Sequence, residues 1–246
     1  MKRVFRAILL GLGVLLIVLA VGGLLLATRL DQVVREAIEV RLSYMFMADV
    51  AIEDVNVSLF RGLLEVRGLT VSNPPTFKKG PAMAFEQIRV LFDLRSLLTR
   101  APRIERIAVT GGDIHLRYEL GDGSNLGVLA RNVSELESGE SESRKAAERD
   151  AWHLDQEPMG LRRPLVIGEF VCEGATGHLS TNVVPLTSAS LDIAPFTLHE
   201  LTEGQPVSVP RMVAVFVRSI MVETVTFKGL LAPVVSKVRE EIDALF

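Results

Sequence analysis

The chain has 246 residues, enough for one large domain or two small ones, and a net charge of −3 from 27 basic and 30 acidic residues. No basic patch points to nucleic acid, and a single cysteine, Cys172, excludes an internal disulfide and any cysteine-cluster metal site. The mean hydropathy of +0.32 is high for a soluble protein.

Much of that excess lies in one run. From Ala7 to Thr28 no charge interrupts 22 residues. As a helix this run is about 33 Å long, enough to cross a hydrocarbon core of about 30 Å. Lys2, Arg3 and Arg6 precede it and favour a cytoplasmic N-terminus, with everything after Arg29 on the far side. A signal peptide cleaved near Val18 and Ala20 is the alternative. Such apolar cores usually span about 7–15 residues, so the run reads as an uncleaved, single-pass anchor. After it, Leu30, Val33, Val34, Ala37, Ile38, Leu42 and Met45 recur at helical spacing, while Asp31, Arg35, Glu36 and Glu39 take the other face. This amphipathic helix either lies on the membrane surface or caps a sheet, and capping is the simpler reading.

From Ala51 to Leu120 the period changes to two. Val55, Val57 and Leu59 alternate, as do Ile88, Val90, Phe92 and Leu94. Parity flips at Gly68, between Leu64/Val66 and Leu69/Val71, and again at Gly111-Gly112, between Ile107/Val109 and Ile114/Leu116. A β-bulge or bend at each glycine would reset the strand. The pattern predicts an antiparallel sheet with one apolar face, curved by these devices. Ser96 to Pro102 reads as one helical turn that Ser96 can cap, and Gly121 to Gly127 as a hairpin exit into a helix capped by Ser124 or Asn125. Glu135 to Glu157 is a polar stretch with little apolar periodicity, read as a linker or a polar helix. Strands resume beyond it, with Leu191 and Ile193 alternating. Val213 to Val225 fits strand or helix, and Pro233 to Phe246 a final helix. The expected organisation is residues 1–28 cytoplasmic tip and anchor, 29–134 helix and first β-module, 135–160 polar linker, and 161–246 a second β segment ending in a helix.

Candidate chemistry is sparse. None of His115, His153, His178 and His199 is paired at i, i+3 or i, i+4. His115 alternates with Ile114 and Leu116 and so faces solvent, on the same side as Asp113; no Gly-x-Ser-x-Gly elbow supplies a nucleophile for that pair. The Gly121 loop lacks the Lys-Ser/Thr of a P-loop. Cys172 lies in an apolar stretch and reads as a buried structural thiol. No catalytic residue, metal ligand or cofactor is assigned.

Several segments in order carry a resemblance. They are the Asn73-Pro74 turn, a strand leading into Asp93 through Leu98, an isoleucine-rich strand from Ile104 through glycine to Ile114, and Ser124-Asn125-Leu126. Together these resemble the N-terminal module of the AsmA-like family of bacterial envelope proteins, over residues 1 to about 130. The resemblance implies an inner-membrane anchor with a cytoplasmic N-terminus and a periplasmic, β-rich body. Large members look like long hydrophobic grooves thought to carry phospholipids between membranes. Bridging a periplasm on the order of 200 Å at about 4.8 Å per strand needs about forty strands, against about ten expected here, so this chain is no solitary bridge.

The expected fold class is therefore α+β: a transmembrane helix, then a curved, mostly antiparallel sheet forming an open groove or half-barrel, flanked by amphipathic helices. The expected function is non-enzymatic assistance in phospholipid handling or envelope assembly. Ile88, Val90, Phe92, Leu94, Ile114 and Leu116 would face acyl chains. Expected partners are the membrane, phospholipid and other envelope proteins, with no nucleic acid. The alternative is a structural or adaptor subunit of an inner-membrane complex whose sheet core is closed by helices.

Overall fold

A computed structural model describes residues 29–119, 121–138, 164–181, 188–199 and 206–225. The expected anchor from Ala7 to Thr28, most of the polar linker with Trp152, and the helix expected from Pro233 lie outside these residues. No helix among the described residues is long and apolar enough to cross a membrane.

The first element is helix α1, residues 29–46. Strands β1 (Val50–Ala51), β2 (Asp54–Ser58), β3 (Leu63–Ser72), β4 (Pro81–Phe92) and β5 (Arg103–Glu119) follow. The short β6 (Gly123–Ser124) then leads into α2 (Asn125–Ser138). Strands β7 (Val166–Cys172), β8 (Ala175–Thr181), β9 (Ser188–Ile193) and β10 (Phe196–His199) precede α3 (Val209–Val225). The described strands form one open mixed sheet. The first and second β segments therefore share a sheet. Most neighbours are antiparallel, but β5 runs parallel to both β7 and β8. A parallel pair needs a crossover of a dozen or more residues, usually helical, and α2 lies in this one.

Broken strands act as long ones. Residues 166–181 follow β5 on one side, and 188–199 follow them in turn, so six long strands cross the molecule. Each bends at the same level. Gly68 (φ 62°) and Gly111 (φ 63°) occupy the left-handed region that glycine adopts without a steric penalty. Pairing continues in register on both sides, Arg67 opposite Gln87 and Leu69 opposite Phe85, then Gln87 opposite Thr110 and Phe85 opposite Gly112. The glycines are thus bends without an inserted residue; the register shifts lie elsewhere, at Val71/Ser72 and Leu91/Phe92. Counting from these pairs, Glu53, Gly68, Glu86 and Gly111 align in a crease across the sheet. Because each strand flips its parity there, Phe85 and Ile88, three residues apart, face the same side.

The crease is tightly packed. A Cβ on Gly111 would overlap the side chain of Glu86, and one on Gly68 that of Glu53. Gly111→Ala should therefore cost about 2–3 kcal/mol in urea unfolding, combining the left-handed backbone with overpacking. Adding Glu86→Ala should recover about 1 kcal/mol, since only the overlap is relieved.

The α1 helix covers an edge of this sheet. Val50 N–H donates to Ser43 Oγ (3.1 Å), Ile52 N–H to Glu39 Oε1 (2.8 Å) and Val57 N–H to Asp31 Oδ1 (2.8 Å). These bonds satisfy strand donors that would otherwise template pairing with another chain. The capping reading of this helix holds, and part of its polar face reads the strand edge.

On one side of the crease the apolar face is closed. Ile114, Leu116, Val71 and Met83 are fully buried in one cluster with Met45 of α1, Leu126, Leu129 and Val133 of α2, and Val217 and Met221 of α3. Helix α2 packs against α3. The 213–225 segment resolves as helix although it is rich in β-branched residues, because Val213, Val217, Ile220 and Met221 form one buried stripe.

Two of the segments that carried the resemblance meet at this closed end. Ser124 caps α2, its Oγ accepting from Gly127 N–H (3.0 Å). Asn125 is fully buried. Its Nδ2 donates to His115 O and to Asn73 Oδ1, both at 2.7 Å, and its Oδ1 accepts from Arg117 N–H at 2.8 Å. Asn73 in turn donates to Lys78 O, which closes its own turn, and Phe77 packs back into the protein, 5% exposed. Ser96, expected to cap its turn, instead receives Arg103 N–H at 2.7 Å and so ties the turn to β5.

Candidate functional site

On the other side of the crease, cross-strand pairing lines up apolar residues over the full width of the sheet. One row is Val57, Leu64, Val90, Ile107, Phe170 and Leu198, each opposite the next. The next is Val55, Val66, Ile88, Val109, Cys172 and Phe196. Five inter-strand spacings make each row about 24 Å long.

Helix α3 lies over part of this floor. Phe216 anchors it, with its ring centroid 5.1 Å from that of Phe170 and 5.6 Å from that of Phe85, one on each side of the crease. Between floor and helix is a cavity of about 190 Å³, which reaches across the crease to Leu69, Val71, Met83 and Phe85. Met212, Val213, Val215 and Phe216 form its roof, and Ile88, Val90, Ile107 and Val109 part of its floor. Among the described residues that line it, Arg211 is the one charged side chain, and it is exposed. An apolar cavity of about 150 Å³ already holds a benzene-sized molecule. The space here suits part of a hydrocarbon chain and offers little to a polar substrate. Leu64, Val57 and Phe92 continue the floor as half-buried residues packed against the core.

The six residues expected to face acyl chains divide accordingly. Ile88 and Val90 line the cavity. Phe92 is half-buried beside it. Leu94 is off the face, because β4 ends at Phe92, whose N–H bonds to Gly62 O (2.7 Å), and Asp93 N–H turns to Arg103 O (3.0 Å). Leu94 is 40% exposed in that turn. Ile114 and Leu116 lie on the closed side of the crease and do not line the cavity. Phe170, Leu198 and the α3 residues also line the cavity, and alternation alone does not point to them. Phe170 lies two residues from Cys172 in the stretch that signalled burial, and the α3 residues were hidden by their β-branched composition.

Cys172 is buried in the second apolar row, 4% exposed. Desolvation pushes its thiol above the ordinary range, a backbone hydrogen bond involving Gly174 opposes the shift, and the charge of Glu173 adds to it. Such a thiol is a poor nucleophile and serves as packing. The opposite face of the sheet is polar, with Arg106 Nε 2.6 Å from Glu169 Oε2 and His115 facing outward as its alternation requires.

No family model matches this chain, and neither does any curated protein.

Proposed function

We propose that this is a membrane-anchored, periplasmic, AsmA-like protein that assists phospholipid handling or envelope assembly without catalysis. The observation that carries this reading is the apolar cavity of about 190 Å³ between the sheet and α3, set on two apolar rows that cross six strands. A bilayer core of about 30 Å gives each acyl chain about 15 Å; the rows are about 24 Å long, and the cavity on them takes part of one chain. Its lining offers dispersion contact and no chemistry, which suits a hydrocarbon. The uncharged run from Ala7 to Thr28 and the basic residues before it support an inner-membrane anchor with a cytoplasmic N-terminus.

The closed side of the crease favours a second reading, a structural or adaptor subunit whose sheet is a core and not a carrier. Native mass spectrometry of the full chain, released gently from its membrane, separates the two. Phospholipid should co-purify at about one per protein if the groove carries acyl chains. A stably folded protein free of lipid would leave the adaptor reading.

A further inference from the structure

The polar face holds a cluster that no spacing in the sequence discloses. His115 on β5 pairs in register with His178 on β8, across the parallel seam between the two halves of the sheet. Both side chains point away from the groove, and their rings stack with centroids 4.8 Å apart and planes inclined by 17°. Asp113, two residues before His115 on the same face, reaches both. Its Oδ2 is 3.2 Å from Nε2 of His115, and its Oδ1 is 3.0 Å from Nε2 of His178. One ligand atom from each of the three residues lies within 4.8 Å of the others.

We propose that Asp113, His115 and His178 form a divalent transition-metal site, with Zn²⁺ as its ligand, that clamps β5 to β8. Three observations support it. Two imidazole nitrogens converge on one carboxylate, the donor set that borderline ions such as Zn²⁺ accept. A tetrahedral ion with bonds of about 2.0–2.2 Å places its ligand atoms about 3.3–3.6 Å apart, and Asp113 approaches each imidazole nearly this closely, with a different oxygen for each. Second, β9 supplies an outer partner: Ser190 Oγ is 3.0 Å from Nδ1 of His178. With Ser190 accepting the Nδ1 proton, Nε2 keeps its lone pair for the metal. Third, one oxygen of the carboxylate lacks a partner. Asp113 Oδ1 is shielded from solvent and has no aligned hydrogen-bond donor, although His178 Nε2 is 3.0 Å away. A cation bound between Asp113 and the two imidazoles would give that oxygen a partner. The side chains are between a third and a half exposed, 46% for Asp113, 36% for His115 and 39% for His178, so an ion has an entry path and a position left for water.

The site is on the opposite face from the groove and stands whether or not the groove carries lipid. ZnCl₂ titrated calorimetrically into tag-free full-length protein should bind one to one, and melting temperature should rise with Zn²⁺ as ligand linkage requires. Co²⁺ should give the visible bands of a four-coordinate ion. His178→Gln and Asp113→Asn should each weaken Zn²⁺ binding at least tenfold and abolish the Co²⁺ bands. Ser190→Ala should weaken binding less. These positions are on the polar surface, and circular dichroism of the metal-free variants checks that they fold. A folded wild-type protein that binds no Zn²⁺, or binds it as well after His178→Gln, overturns the proposal.

Discussion

Ile114→Glu is expected to unfold the protein, whereas Val90→Glu should leave it folded and strip it of lipid. The two positions are on neighbouring strands and on the same side of the sheet, and differ in what lies above them. Ile114 is fully buried, opposite Met83 on one strand and Gly177 on the other, in the cluster closed by the three helices. A carboxylate there has no partner and no route to water. Its cost, on the order of 3–5 kcal/mol, is a large part of the 5–15 kcal/mol that holds a typical domain together. Val90 is half-buried and faces the cavity, between Leu64 and Ile107. A glutamate there can turn toward the open side, so its cost to folding should be about 1 kcal/mol. It nonetheless puts a hydrated charge in the middle of the apolar row, where an acyl chain would have to displace its water. Thermal melts and native mass spectrometry on both variants give the answer. Val90→Glu that retains its lipid would sink the groove reading, and Val90→Glu that unfolds as readily as Ile114→Glu would make the whole face a closed core.

That contrast also marks where sequence reasoning stops. Ile88 and Val90 alternate just as Ile114 and Leu116 do, so periodicity shows which side each takes and says nothing of what covers it. The parity flips at Gly68 and Gly111 were legible because a strand cannot change face without a special residue. Their alignment into one crease was not, because cross-strand register depends on loop lengths and distant pairing. The parallel seam was hidden for a related reason: alternating apolar residues read alike in either direction, and only the α2 crossover tells β7 to run with β5. Leu94 continues the alternation of β4, but the turn back to Arg103 begins one residue before it. The outward direction of His115 could be read from Ile114 and Leu116. Its neighbour His178 is 63 residues away and comes beside it only through the β5–β8 register. Helix α3 shows packing overriding propensity, since its buried stripe outweighs its valines.

Asn125→Asp should be strongly destabilising although near-isosteric, and its cost should depend on pH. The Asn125 amide does two jobs that a carboxylate cannot do together. Its Nδ2 donates to two acceptors, His115 O and Asn73 Oδ1, while its Oδ1 accepts from Arg117 N–H. Aspartate keeps the second contact but aims an oxygen at two oxygens, in a site with no solvent exposure. The ionised form therefore leaves an unpaired buried charge, for about 3–5 kcal/mol. The protonated form recovers one donor, and its cost falls toward that of one or two lost hydrogen bonds, about 1–3 kcal/mol. Burial and the facing oxygens raise the introduced carboxyl above its unfolded value of about 3.9. Since the folded state then holds this proton more tightly than the unfolded state, the variant loses stability relative to wild type as pH rises through and above about 4, and regains it as pH falls back toward 4. Asn125→Ala, which removes the same bonds without adding a charge, should show a cost of about 2–3 kcal/mol independent of pH. Urea unfolding of the three proteins at pH 7.5 and pH 5 separates these cases. If the difference between Asn125→Asp and Asn125→Ala does not shrink at the lower pH, the bridge between the Asn73 turn and the start of α2 is not the closed, dry contact described.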